Sequence, residues 1–365
     1  MTITFPHMGQ VYIPAKALFD DLGVPVVVPP PVSSKTLEIG TRISPEMACL
    51  PLKINLGNYI QSLEQGADTI VLTGSCGPCR FGYYGVVEQE ILKDQGYQMD
   101  VVILDAPDQC GRRELLSRIR RISGKNSLHK ILRAFIQASK VVDQTDKLLG
   151  IFLKKRPREL IKGETDRLQS RFEKEVLLCN GSKEMLRFIQ SFQDKAARIP
   201  ERANASPLHI GLVGEIYTLI EPYVNLNIER KLGSLGAEVY RGISVADWVK
   251  THLSVDWKHK KERKAKLKKG AKYLDLCIGG HAWETVASTV HYVDAGLDGV
   301  IQVLPFGCMP EIVAESILPS ISRDLNFPIM TLTMDELTGE AGYMTRLEAF
   351  VDLLLQKRGK DYEQA

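Results

Sequence analysis

Thr69-Ile70-Val71-Leu72-Thr73-Gly74-Ser75-Cys76-Gly77-Pro78-Cys79-Arg80-Phe81-Gly82-Tyr83-Tyr84 is the stretch that decides the fold. Residues 69–72 form a short apolar run that reads as a buried strand. Tyr84, Val87 and Ile91 then fall on one face of a following helix. The turn between them puts two cysteines at the C-terminal end of a strand, where open α/β sheets bind ligands. Taken alone, the C-x-x-C turn fits a redox dithiol, half of a zinc site or part of an iron–sulfur site.

Strand and helix patterns alternate on both sides of this unit. Residues 2–5 and 24–28 read as strands, the second closed by Pro29-Pro30-Pro31, with a helix over 11–22 that stops at Gly23. Ser44-Pro45-Glu46 and Leu50-Pro51 are helix-start signals for a helix running to about Gly66, and residues 101–104 form a fourth strand. Residues 112–121, 128–149, 164–178 and 183–198 are charged helix formers with no good strand among them, and 199–207 reads as a linker. Strands then recur at 209–213, 237–240, 300–304 and 329–332. A helix follows Pro222, and later helices carry the apolar stripes of Ala282, Val286, Val290 and Val293, of Ala314, Ile317, Leu318 and Ile321, and of Leu347, Phe350 and Leu354. Everything after Lys357 reads as a polar tail. The expected architecture is α/β: two doubly wound parallel-sheet domains joined by a helical segment. The first spans 1–110 and carries Cys49, Cys76 and Cys79; 111–206 is a helical bridge or insertion; 207–365 carries Cys308.

Composition excludes several classes. Apolar residues make up 44% of the 365 and charged residues 25%, as in an ordinary globular protein. The net charge, 47 − 44 = +3, argues against nucleic-acid or membrane-surface partners. The basic run at 257–269 has few aromatics and is interrupted by Glu262, so it reads as a solvated helix face. No signal peptide and no apolar run of about 20 residues is visible, which points to a cytoplasmic protein. Seven cysteines are then expected to bind metal, catalyse or lie buried rather than form disulfides.

Cys49-Leu50-Pro51 and Cys308-Met309-Pro310 share a pattern, a cysteine two residues before a proline that opens a helix. Such a helix start leaves N–H groups pointing back at the cysteine and favours a thiolate or an anionic cluster. If the two domains face each other across their strand ends, Cys49, Cys76, Cys79 and Cys308 converge. One C-x-x-C plus two single cysteines from distant segments favours a [4Fe–4S] cluster over structural zinc, with a dithiol third. Cys110 also follows a strand and precedes a helix and could approach the same edge, although a turn cysteine without a ligand role is the favoured reading; Cys179 and Cys277 read as buried. Lys53 and Arg80 are candidates to balance an anionic cluster or hold an anionic substrate, against plain surface cations, and Tyr83 and Tyr84 stand around the same centre, against helix core. His281 and Glu284 share a helix face and are candidates for proton transfer, against a plain cap and surface pair. No phosphate-binding loop or nucleophile elbow is present, so no ATP hydrolysis by this chain alone is expected.

Residues 49–53, 75–84 and 305–311, with 335–342 and 345–352, resemble the family related to 2-hydroxyacyl-CoA dehydratase subunits and their activators. The likeness is closest to the activase-related branch. It implies two flavodoxin-like halves around a cluster ligated by Cys49, Cys76, Cys79 and Cys308. It also implies reduction by a separate ATP-hydrolysing iron–sulfur activator. Dehydratase subunits use three cysteines and leave one iron open to an acyl-CoA substrate, so a fourth ligand here speaks against dehydration. A related double-cubane cluster would need six cysteines, Cys110 among them. The reading is an iron–sulfur oxidoreductase or electron-transfer protein, with a homodimer possible. An acyl-CoA dehydratase subunit and a non-enzymatic cluster carrier or scaffold are the alternatives.

Overall fold

A computed structural model of the protein describes residues 1–74, 79, 81–105, 111–252 and 257–364. Two parallel sheets organise it. In the first, β1 (Ile3–Thr4), β2 (Thr69–Thr73) and β3 (Asp100–Leu104) lie in that order, with Ile70 opposite Val101 and Leu72 opposite Ile103. The run at 24–28 expected as a strand only touches this sheet, by a parallel bridge of Val26 to Ile3. Pro25 has no N–H to give a ladder and Pro29-Pro30-Pro31 ends the extended run, so pairing goes no further.

The second sheet holds β4 (Leu208–Gly214), β5 (Ala237–Arg241), β6 (Gly299–Pro305) and β7 (Ile329–Met334), in the order β5-β4-β6-β7. If the Val26 bridge is included, both sheets follow one plan. The strand that comes first in the chain lies between the second and the third. Strand order therefore reverses between β1 and β2 and between β4 and β6, and the loops leaving the strand ends there diverge to leave a crevice.

Helices α1 (Tyr12–Leu22), α2 (Ser34–Ile43), α3 (Leu50–Glu64) and α4 (Phe81–Asp94) belong to the first half. Leu52, Leu56 and Tyr59 of α3, with Tyr84 and Leu92 of α4, bury one face of the first sheet against Ile70 and Leu72. The sequence reading had no element at α2, which Ser33 caps in a reciprocal box with Thr36. It crosses α3 closely. A Cβ on Gly40 would stand 1.6 Å from the Lys53 carbonyl oxygen, so only glycine lets these backbones meet.

The opposite face of the first sheet is covered by α1 with α5 (Arg112–Ile122), α6 (Leu128–Lys155), α7 (Glu164–Glu175) and α8 (Gly181–Ala197). Ile3, Phe5, Val71 and Val102 share one core with Ile131, Val141, Phe152, Phe172 and Phe192, so these helices complete the first half. They also reach the second. Asp146 accepts the Ala246 N–H at 2.9 Å, and Asp143 pairs with Lys250 at 2.8 Å.

In the second half, α9 (Ile216–Ile220), α10 (Ile228–Ser234) and α15 (Glu340–Gln364) share a core with β4 to β7. The remaining helices are α11 (Val245–His252), α12 (Trp257–Lys269), α13 (Ala282–Asp294) and α14 (Met309–Asp324), of which α13 and α14 pack together around Ala282, Val286, Ala314 and Leu318. Instead of a polar tail after Lys357, α15 continues to Gln364, because lysine, glutamate and glutamine extend a helix at little cost. The core around α15 also takes in Leu50 and Ile54 of α3, which places the start of α3 at the seam between the halves. At that seam His7 Nδ1 lies 2.9 Å from Glu221 Oε2, and the Tyr217 hydroxyl donates to the His7 carbonyl at 2.8 Å. Among the described residues, no helix is long and apolar enough to cross a membrane.

Candidate metal centre

Cys49 is the residue that caps α3, and Cys308 is the residue that caps α14, each with its proline in the first turn. Both have extended backbone angles, φ −69° for Cys49 and −73° for Cys308, as a cap position requires. Proline fixes the helical φ and surrenders only an N–H that the first turn leaves unused. Cys308 follows β6 at the reversal of strand order in the second sheet, and Cys79 follows β2 at the corresponding place in the first. Cys49 is half-buried and Cys308 buried.

The field around Cys308 is negative. Burial pushes its thiol far up, the carboxylates of Glu215 and Glu311 push it further, and Cys49 lies close enough to add to the same effect. Against these works the Glu311 N–H in the first turn of α14, which favours the thiolate. A thiol in such surroundings ionises only beside strong positive charge, the condition a bound metal meets. The Cys49 sulfur is bonded to the Tyr84 hydroxyl from α4.

Glu311 is fully buried. Thr285 donates to it at 3.0 Å and Gln302 at 2.9 Å, and burial raises its carboxyl to about 8 despite these bonds. Glu215, at the end of β4, accepts the N–H groups of Tyr217 and Thr218 and so caps α9. Neither acid was singled out as a site residue in the sequence. For Glu215 the available signal was a carboxylate directly after a strand-ending glycine.

Lys53 is 2% exposed. Its Nζ meets Glu336 Oε1 at 2.6 Å and the Glu46 carbonyl at 3.2 Å, which ties α3 to the loop after β7. His281 caps α13 by its backbone, and its carbonyl accepts the Thr285 N–H at 2.8 Å. Gly280 presses so close to Pro310 that an added Cβ would stand 2.8 Å from the ring, which brings the His281 loop against the first turn of α14. Glu284 is ion-paired with Arg263 of the basic helix α12. Tyr83 is 72% exposed whereas Tyr84 is buried. Cys179 is buried among the helices of 111–206, as expected, but Cys277 is exposed. The run around it turns outward, with Leu276 also exposed, because it links α12 to α13.

Cys76, Arg80 and Cys110 lie outside the described residues. Among the described residues no three cysteine, histidine or acidic side chains are grouped to hold a metal ion. The described part of the donor set is nonetheless of the right chemistry, since Cys49 and Cys308 are soft ligands at two helix N-termini whose N–H groups favour negative charge. No protein-family model matches the chain, and no curated protein sequence matches it.

Proposed function

We propose that the chain is an iron–sulfur oxidoreductase or electron-transfer protein of the 2-hydroxyacyl-CoA dehydratase-like kind, built from two flavodoxin-like halves. In this reading Cys49, Cys76, Cys79 and Cys308 hold a [4Fe–4S] cluster, and a separate ATP-hydrolysing iron–sulfur protein reduces it. One observation carries the reading. Two cysteines from opposite halves cap proline-opened helices and lie within electrostatic reach of each other. Bound there, the cluster supplies one-electron transfer at low potential.

The chain's own residues set the conditions. Burial, with Glu215 and Glu311 beside it, opposes an uncompensated thiolate at Cys308, so the thiol would give up its proton to a bound metal. The first-turn N–H groups of α3 and α14 then offset sulfur charge, and Tyr84 steadies Cys49 by its hydroxyl. Lys53 and Glu336 keep the α3 start against the second half. Anaerobic purification followed by iron, sulfide and zinc quantification, with EPR of the dithionite-reduced protein, tests the reading. Iron and sulfide in equal amounts with a reduced-state signal support it. Stoichiometric zinc without sulfide overturns it.

A further inference from the structure

Between α3 and α4 the first half buries a carboxyl that the centre described above does not use. Glu88 is 2% exposed, and its Oε1 accepts Asn55 Nδ2 at 3.2 Å. Among the described residues its Oε2 has no partner, nor has Asn55 Oδ1, and the fully buried Tyr59 hydroxyl approaches it without completing a hydrogen bond. The titratable groups that face it are Tyr59 from α3 and Tyr217 from α9. Solvent is excluded from this place and no cation among the described residues faces it, so the carboxyl keeps its proton near neutrality. Burial raises Glu88 to about 8, while Asn55 and Tyr59 work the other way.

The position of Glu88 ties it to Cys49. It lies one turn along α4 from Tyr84, on the same helix face, and Tyr84 bonds the Cys49 sulfur. On the other side, Asn55 belongs to α3, the helix that Cys49 caps. Cys49 and Glu88 are thus linked by two routes, through Tyr84 on α4 and along α3 through Asn55.

We propose that Glu88 is a positioning residue that, under alkaline conditions where its carboxyl is ionised, would take up a proton when a metal centre at Cys49 gains an electron, with Tyr84 between them. This rests on the cluster reading. A low-potential one-electron reductant supplies the electron, solvent water supplies the proton, and the proton ends on a Glu88 carboxylate oxygen. No bond at the centre is made or broken. Reoxidation returns the proton to solvent.

The experiment has two arms, chosen by the measured iron content. In iron-loaded protein, the midpoint potential is followed by EPR-monitored titration from pH 6 to 10. Wild type is expected to fall with rising pH through the region of the Glu88 titration, by at most about 59 mV for each tenfold drop in proton concentration. Glu88→Gln is expected to be flat there, and Tyr84→Phe, which keeps the carboxyl, to show a smaller slope. Equal slopes in wild type and Glu88→Gln overturn the proposal while leaving the cluster reading intact. If the purified chain holds no iron, the cluster reading fails by itself. Iodoacetamide alkylation of Cys49, read by peptide mass mapping, then tests the coupling to Glu88. The thiol is expected to titrate at lower pH in Glu88→Gln than in wild type, and coincident profiles overturn the coupling.

Discussion

Replacing Glu311 by glutamine should change how stability depends on pH, in a direction set by where the carboxyl sits. Its pKa rises from 4.5 to about 8 on folding, because burial outweighs the bonds from Thr285 and Gln302. Below 4.5 the group is protonated in both folded and unfolded chains, and its contribution to stability is complete. Between 4.5 and about 8 the unfolded chain has released its proton and the folded chain has not. Over that window each pH unit costs the folded state about 1.4 kcal/mol. Above the folded value both are ionised, and the loss levels off at on the order of 5 kcal/mol. Glutamine keeps the shape and most of the hydrogen bonds and has nothing to ionise. Urea unfolding of wild type and Glu311→Gln at equal metal content should give stabilities within about 1 kcal/mol of each other near pH 5. By pH 9 the variant should be the more stable by about 3–4 kcal/mol. Parallel pH curves would refute the reasoning, since they would mean that Glu311 ionises alike in both states.

Lys53→Met should destabilise by about 1–2 kcal/mol, less than a fully buried pair, because Glu336 is 28% exposed and can turn to water; adding Glu336→Gln should recover most of the loss in a double-mutant cycle. Gly40→Ala should cost about 1–3 kcal/mol or more in urea unfolding, since its methyl meets the Lys53 carbonyl. Gly150→Ala is the opposite case: inside α6, with nothing within 4 Å of the new methyl, it should gain about 0.5–1 kcal/mol.

The strands were legible in the sequence because short apolar runs rich in Val, Ile and Leu have few other fates when both faces of a parallel sheet are covered. The cap positions of Cys49 and Cys308 were legible too, since proline marks a first helical turn wherever it falls. What escaped has tertiary causes. The start of α2 rests on Ser33 paired with Thr36, a box closed by a hydroxyl rather than by the usual Glu or Gln. Glu88 and Glu311 look like ordinary polar positions on amphipathic helices, and only the neighbours that cover them, Asn55 and Tyr59 for one and Thr285 and Gln302 for the other, turn them into buried acids. The partner of Lys53, Glu336, comes from a loop that no local pattern connects to it.

Iron and acid-labile sulfide, counted per chain in anaerobically purified Cys308→Ala beside wild type, decide whether the two halves share one metal centre. With Cys308 as a ligand, the variant should lose most of its iron or show the EPR signal of an incomplete cluster, while Cys179→Ala keeps wild-type content. Full iron content with an unchanged EPR spectrum in Cys308→Ala would remove that residue from the centre and leave the halves joined by their packing and polar contacts without a shared metal.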